Sequence, residues 1–143
     1  MPTRSRSSFD ASRPAASHAC RQAASANYRR LLKRLYDAGV TLVPGTDNVP
    51  GLSLHGELEI YERAGIPAPA VLQIATIVPA RVVKADKRTG SIAVGKEADL
   101  VLVDGDVSKD LGALRRVVTV VSDGYVMDAD ALRKAAGYTG RPK

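Results

Sequence analysis

The sequence has 143 residues, of which 45% are hydrophobic and 25% charged, with a formal net charge of +6. That balance suits one soluble domain with a real core, and the length excludes a complete (β/α)₈ barrel, which needs at least about 200 residues. No run of about 18 consecutive apolar residues is present to span a membrane, and the opening residues lack the apolar region of a secretory signal. The single Cys20 can form no internal disulfide, so the expected setting is reducing and cytoplasmic.

Residues 1–26 are rich in Arg, Ser and Ala, with Asp10 as their one acid. Without apolar periodicity they read as an irregular basic leader. A transit peptide shares that composition, but the clear amphipathic face is not there. From Asn27 the spacing of Tyr28, Leu31, Leu32, Leu35 and Ala38 predicts a helix with one apolar stripe, stopped by Gly39. Arg29, Arg30, Lys33 and Arg34 fall on its other face and read as a solvated surface. Val40 to Val43 follows as a short apolar run before Pro44 and Gly45, the pattern of a strand covered on both faces in a parallel sheet. After a polar loop, helices are predicted over Gly56–Ala64 with Leu58, Tyr61 and Ala64 on one side, over a segment opened by Pro67 and Pro69 with Val71, Leu72 and Ala75 inward, and from Pro79 through Val83. Strands are predicted near residues 92–94, 99–104, 116–121 and 125–128, with Asp123-Gly124 as a two-residue hairpin turn. A last helix is predicted over Asp130–Ala136. The segments are therefore a leader at 1–26, an α/β piece at 27–88, an antiparallel piece at 89–129, and a helix with tail at 130–143.

Few residues carry chemistry. Asp47 follows the predicted strand, at the end where barrel enzymes keep their active sites, and a carboxylate there can bind a cation or move a proton. The same Asp could equally serve the turn formed with Asn48, Pro50 and Gly51. His55 lies just beyond that loop at a helix start, where an exposed His needs no special task. Glu57 and Glu59 read as first-turn acids that complement the helix dipole. His18 receives no role. Gly90, Gly95 and Gly105 match neither a Walker A loop nor a dinucleotide fingerprint and read as turn glycines.

Three blocks carry a family resemblance. AGVTLVPGTD, ending at Asp47, resembles the eighth barrel strand of the amidohydrolase superfamily, closest to its imidazolonepropionase and prolidase-like branch. HGELEIYERAGIPAPAVLQIATIVPARVV, from His55, resembles the segment that follows it. TGSIAVGKEADLVLVDGD, from Thr89, resembles the C-terminal signature that enters a small β-sandwich, and RRVVTVVSDGYVMD resembles its closing hairpin. The blocks stand in the family's order and span residues 27–138. The fold implied is α/β: the C-terminal remnant of a (β/α)₈ TIM barrel, with its last strand and helices, plus part of a β-sandwich; without the other seven barrel strands, the strand at residues 40–43 is expected to be short, frayed or opportunistically paired.

The resemblance also implies chemistry. Family members bind one or two divalent metals, usually zinc, and hydrolyse carbon–nitrogen bonds in small amide, cyclic amide or dipeptide substrates. Asp47 matches the strand-eight aspartate that ligates metal, takes the proton of the attacking water and passes it to the leaving group. His55 lies in the loop bordering the substrate pocket, which implies a substrate contact. The family's His-x-His pair, bridging Lys or Glu, and later two histidines have no counterpart here. One carboxylate cannot hold a catalytic zinc, which takes three protein ligands and an open position. The leading expectation is a truncated amidohydrolase that binds no metal and is inactive by itself. The alternative is one half of a split enzyme that needs an N-terminal partner chain. A third reading, a small basic nucleic-acid-binding protein, rests on the net charge of +6, the sequence pI of about 9.7 and the Arg-bearing leader; against it, aromatics are 4% of the chain and no nucleic-acid motif appears.

Overall fold

A computed structural model describes residues 15–47 and 53–139, except for the side chains of residues 15–19 and 21. The first helix, α1, runs Ala15–Asp37, twelve residues longer at its start than the spacing from Asn27 predicts. The reading of an irregular leader is corrected for residues 15–26, while residues 1–14 lie outside the described residues. The physical reason is propensity. Ala15, Ala16, Ala19, Ala23, Ala24 and Ala26 favour helix intrinsically, so the chain needs no apolar stripe to coil there. The end of α1 is the one foreseen. Gly39 adopts φ 74, its N–H donates to the Tyr36 carbonyl at 2.9 Å, and the Val40 N–H reaches back to Leu35 at 3.0 Å. These paired bonds form the closing motif that a left-handed residue permits.

Residues 40–43 form no strand. The described residues contain one sheet, and this segment lies outside it. An extended segment with no neighbour has no ladder for its N–H and C=O groups. Leu42 still packs against the core, while Val40 and Val43 are exposed. The segment that reads as a buried strand is therefore an exposed arm, without the pairing partners that the other barrel strands would supply, and anchored to the core by Leu42.

Three helices follow. The second, α2, spans Leu54–Arg63 and buries Leu58 and Tyr61. The third, α3, spans Ala68–Ala75 and buries Ala68, Val71 and Ile74. Leu72 and Ala75, predicted to face inward, are only partly covered. The fourth, α4, spans Ile77–Val82 and so starts before Pro79. Proline fits there because the N–H groups of a first helical turn have no partner within the helix.

The C-terminal half forms an antiparallel sheet of β1 (Leu100–Val103), β2 (Val117–Ser122) and β3 (Tyr125–Asp128), in that order. Leu100 pairs with Val121, and Ser122 pairs with Tyr125 across the hairpin. At its tip Asp123 and Gly124 take φ 50 and 78, the left-handed pair that an Asp-Gly hairpin turn requires. The strand predicted at residues 92–94 is absent. Residues 93 and 94 instead belong to a turn in which the Lys96 N–H donates to the Ala93 carbonyl at 3.2 Å. Among the described residues there is thus one three-stranded sheet, where part of a sandwich was expected. Helix α5, Ala129–Ala135, is capped by the Asp128 carboxylate, which accepts the Ala131 N–H at 2.7 Å.

The two halves share a core. Leu32 of α1, Leu58 and Tyr61 of α2, Ile66, and Val71 and Ile74 of α3 cluster with Leu111. Leu111 opens a 3₁₀ helix, Leu111–Arg115, between β1 and β2. That short element was not foreseen, yet it inserts a leucine of the sheet half among the helices.

Candidate functional site

Asp47 lies at the end of the extended arm and is exposed. It lines a shallow groove of about 590 Å³ together with Thr46, Glu57, Glu59 and Arg63. Helix α2 forms the floor, because its residues 56, 59, 60 and 63 recur at helical spacing on one face. His55 is half-buried in the first turn of α2 and is not among the groove's lining residues. The structure therefore does not bring His55 and Asp47 into one shared groove. The loop between them includes residues 48–52, which lie outside the described residues.

The acids of α2 do more than complement the helix dipole. Glu57 Oε1 accepts the Gly45 N–H at 3.0 Å and the Tyr61 hydroxyl at 3.1 Å. Its carboxylate thus bridges the arm and the core. Burial pushes the Tyr61 phenol well above the ordinary tyrosine range, and the neighbouring Glu57 charge pushes it further the same way. Glu59 Oε1 receives both Nε and Nη2 of Arg115, each at 2.7 Å. Its Oε2 accepts Arg63 Nη2 at 3.1 Å. Glu62 accepts the Leu111 N–H at 3.4 Å. Spacing along α2 places these acids but says nothing of partners that lie far along the chain.

The C-terminal signature is structural in its details. Lys96 Nζ donates to Ser91 Oγ at 2.6 Å and to the Thr89 carbonyl at 3.3 Å, and also bonds the Asp86 carbonyl. One lysine thereby gathers the loop before β1. Asp99 accepts Ser122 Oγ at 3.1 Å and the Asp123 N–H at 3.2 Å, fastening the hairpin tip to the start of β1. Gly90, at φ 83, passes so close to α4 that an added Cβ would meet Ala80 Cβ at 2.7 Å. On α1 the basic face carries local pairs, with Lys33 Nζ to Asp37 at 2.6 Å.

The residues present do not fit a zinc ion by themselves. Among the described residues no three His, Cys, Asp or Glu side chains cluster as metal ligands. Asp47 offers one carboxylate, Glu57 Oε1 already accepts two hydrogen bonds, and both oxygens of Glu59 are held by arginines. A zinc site takes three or four ligands.

Comparison with known proteins places this architecture. The amidohydrolase family model matches residues 7–127. The crystal structure of a Xaa-Pro dipeptidase superposes with a TM-score of 0.66 and 29% identity, over 71% of this chain and 25% of that one. An amidohydrolase from Thermotoga maritima superposes with a TM-score of 0.58 and 28% identity, over 69% of this chain and 26% of that one. A 5-methylthioadenosine/S-adenosylhomocysteine deaminase from Thermoanaerobacter pseudethanolicus is 46% identical over 46 residues, which are 32% of this chain and 11% of the deaminase. The chain thus spans about a quarter of the length of those solved structures. With most of its residues under one family model and its helices and sheet arranged as in those structures, the chain belongs to the amidohydrolase family.

Proposed function

We propose that this chain is the C-terminal portion of a metal-dependent hydrolase of carbon–nitrogen bonds, in which the arm carrying Asp47 is the last strand of a (β/α)₈ barrel. The observation that supports this most directly is the position of Asp47. It lines a groove floored by α2, within the residues that match the family model. Asp47 is assigned one role as a metal ligand and a second in accepting and returning a proton at the scissile bond. The other ligands, usually for zinc in this family, would come from further barrel strands, in the same polypeptide or in an N-terminal partner chain. His55 is assigned to the rim, as a substrate contact of lesser weight. The names of two relatives, a dipeptidase and a deaminase, both denote breaking a carbon–nitrogen bond, which supports a small amide-type substrate. A cytoplasmic setting belongs to the same proposal, and no described helix is long and apolar enough to cross a membrane. Nucleic-acid binding is not favoured, since the basic face of α1 carries its own acidic and polar partners.

The test has two arms. The 143-residue chain alone should bind zinc no better than millimolar and hydrolyse no amide, lactam or dipeptide. Tight, stoichiometric zinc binding by that chain would overturn the reading. Co-expression with the N-terminal three-quarters of a close relative should restore hydrolysis, and Asp47→Asn should then lower kcat by about a hundredfold or more. Unchanged activity in that variant would remove Asp47 from the mechanism.

A further inference from the structure

We propose that Glu57 is the positioning residue for Asp47: by accepting the Gly45 N–H, its carboxylate holds the arm that carries Asp47 against α2. This deepens the reading above and rests on the assignment of Asp47. Among the described residues the Gly45 bond, at 3.0 Å, is the one hydrogen bond that holds residues 41–47. The arm has no ladder, and the packing of Leu42 against the core is non-directional. A backbone N–H bonded to a carboxylate is charge-assisted and stronger than a neutral pair.

Glu57 is itself held in place. Tyr61, one turn further along α2, donates its hydroxyl to the same Oε1 at 3.1 Å. Tyr61 is 4% exposed and sits in the core cluster. A ring fixed by packing thus aims a carboxylate, and the carboxylate fixes a backbone two residues before Asp47. A first-turn acid serving only the helix dipole would need neither partner. The order of action is core, Tyr61, Glu57, Gly45, Asp47. Glu57 is assigned no contact with a substrate; it acts through the backbone that it holds.

The experiment uses the isotope-labelled 143-residue chain, so it does not depend on activity. Amide shifts and hydrogen exchange are compared in the wild type, Glu57→Ala and Glu57→Gln. In Glu57→Ala the Gly45 amide should exchange about tenfold faster, and the resonances of residues 45–47 should move, while Val71 and Ile74 stay unchanged. Glu57→Gln keeps an oxygen acceptor and should recover much of the protection, which a general loss of helix stability would not show. Should Glu57→Ala fail to fold, Tyr61→Phe provides the second probe, and Gly45 should lose protection by a smaller factor. An unmoved Gly45 in a folded Glu57→Ala variant overturns the positioning role. In the reconstituted enzyme Glu57→Ala should lower kcat about tenfold at unchanged KM, and Glu57→Gln should recover much of that loss. An equal rise in KM with unchanged kcat overturns the role as well. Failure of Asp47→Asn to alter activity strikes the functional reading instead, and the two failures are distinct because the Gly45 amide reports only on the first.

Discussion

Cutting the bond between Glu59 and Arg115 should loosen the joint between the helices and the sheet. Arg115 ends the 3₁₀ helix and Glu59 sits on α2, 56 positions apart in sequence. Two guanidinium nitrogens, Nε and Nη2, both reach Glu59 Oε1 at 2.7 Å. The side chains are 17% and 34% exposed, for Glu59 and Arg115 respectively. Fully exposed pairs contribute at most about 1 kcal/mol. Removing one partner of a fully buried pair costs about 3–5 kcal/mol, because the other charge is left uncompensated. Partial cover puts this pair between those limits. Glu59→Ala should cost about 2 kcal/mol, and somewhat less for Arg115→Ala, with a coupling of about 1–2 kcal/mol in the double-mutant cycle. Arg63, whose side chain is 64% exposed, should add little to that sum. Urea denaturation followed by circular dichroism gives all four stabilities, and the coupling should persist in part at high salt since the pair is partly shielded from solvent. A coupling below about 0.3 kcal/mol would refute the reasoning, for it would mean that Glu59 and Arg115 meet without stabilising the joint.

Three further outcomes are expected. Leu111→Ala should destabilise by about 3 kcal/mol in the same denaturation assay, since Leu111 is 2% exposed and its removal leaves a cavity between the two halves; Val126→Ala, at 74% exposure, should change stability by under about 0.5 kcal/mol. Gly90→Ala should cost about 2–4 kcal/mol, because its φ is +83° and the new Cβ would fall 2.7 Å from Ala80 Cβ; a midpoint within error of wild type would show that α4 yields freely. Stability should decline above about pH 10, where tyrosine in the unfolded chain ionises while Tyr61 in the fold stays protonated. The raised phenol has a definite sign: its contribution is complete below the unfolded value and is lost as pH rises. Tyr61→Phe should flatten that decline, and spectrophotometric titration should find one tyrosine that ionises last.

What could be read from the chain alone was whatever a few neighbouring residues decide. Gly39 ends α1 and Asp123-Gly124 turns the hairpin, because the required positive φ is a property of those residues and their immediate neighbours. The order of five helices and three antiparallel strands was legible for the same reason, and the family was legible in the blocks around Asp47, Pro67 and Asp99. Asp47 could be singled out from its place after an apolar run. Periodicity failed where another force ruled. Alanine propensity extended α1 to Ala15 without a stripe, and Tyr28 and Leu31 of the predicted stripe are exposed. Residues 40–43 have a strand's composition, but a strand is a pairing, and composition names no partner. Only the tertiary structure showed that Glu57 meets Gly45 twelve positions away, that Glu59 meets Arg115, and that Leu111 enters the helical core. Such contacts depend on how whole elements pack, and the acid that holds a loop has the same local sequence as one that merely faces water.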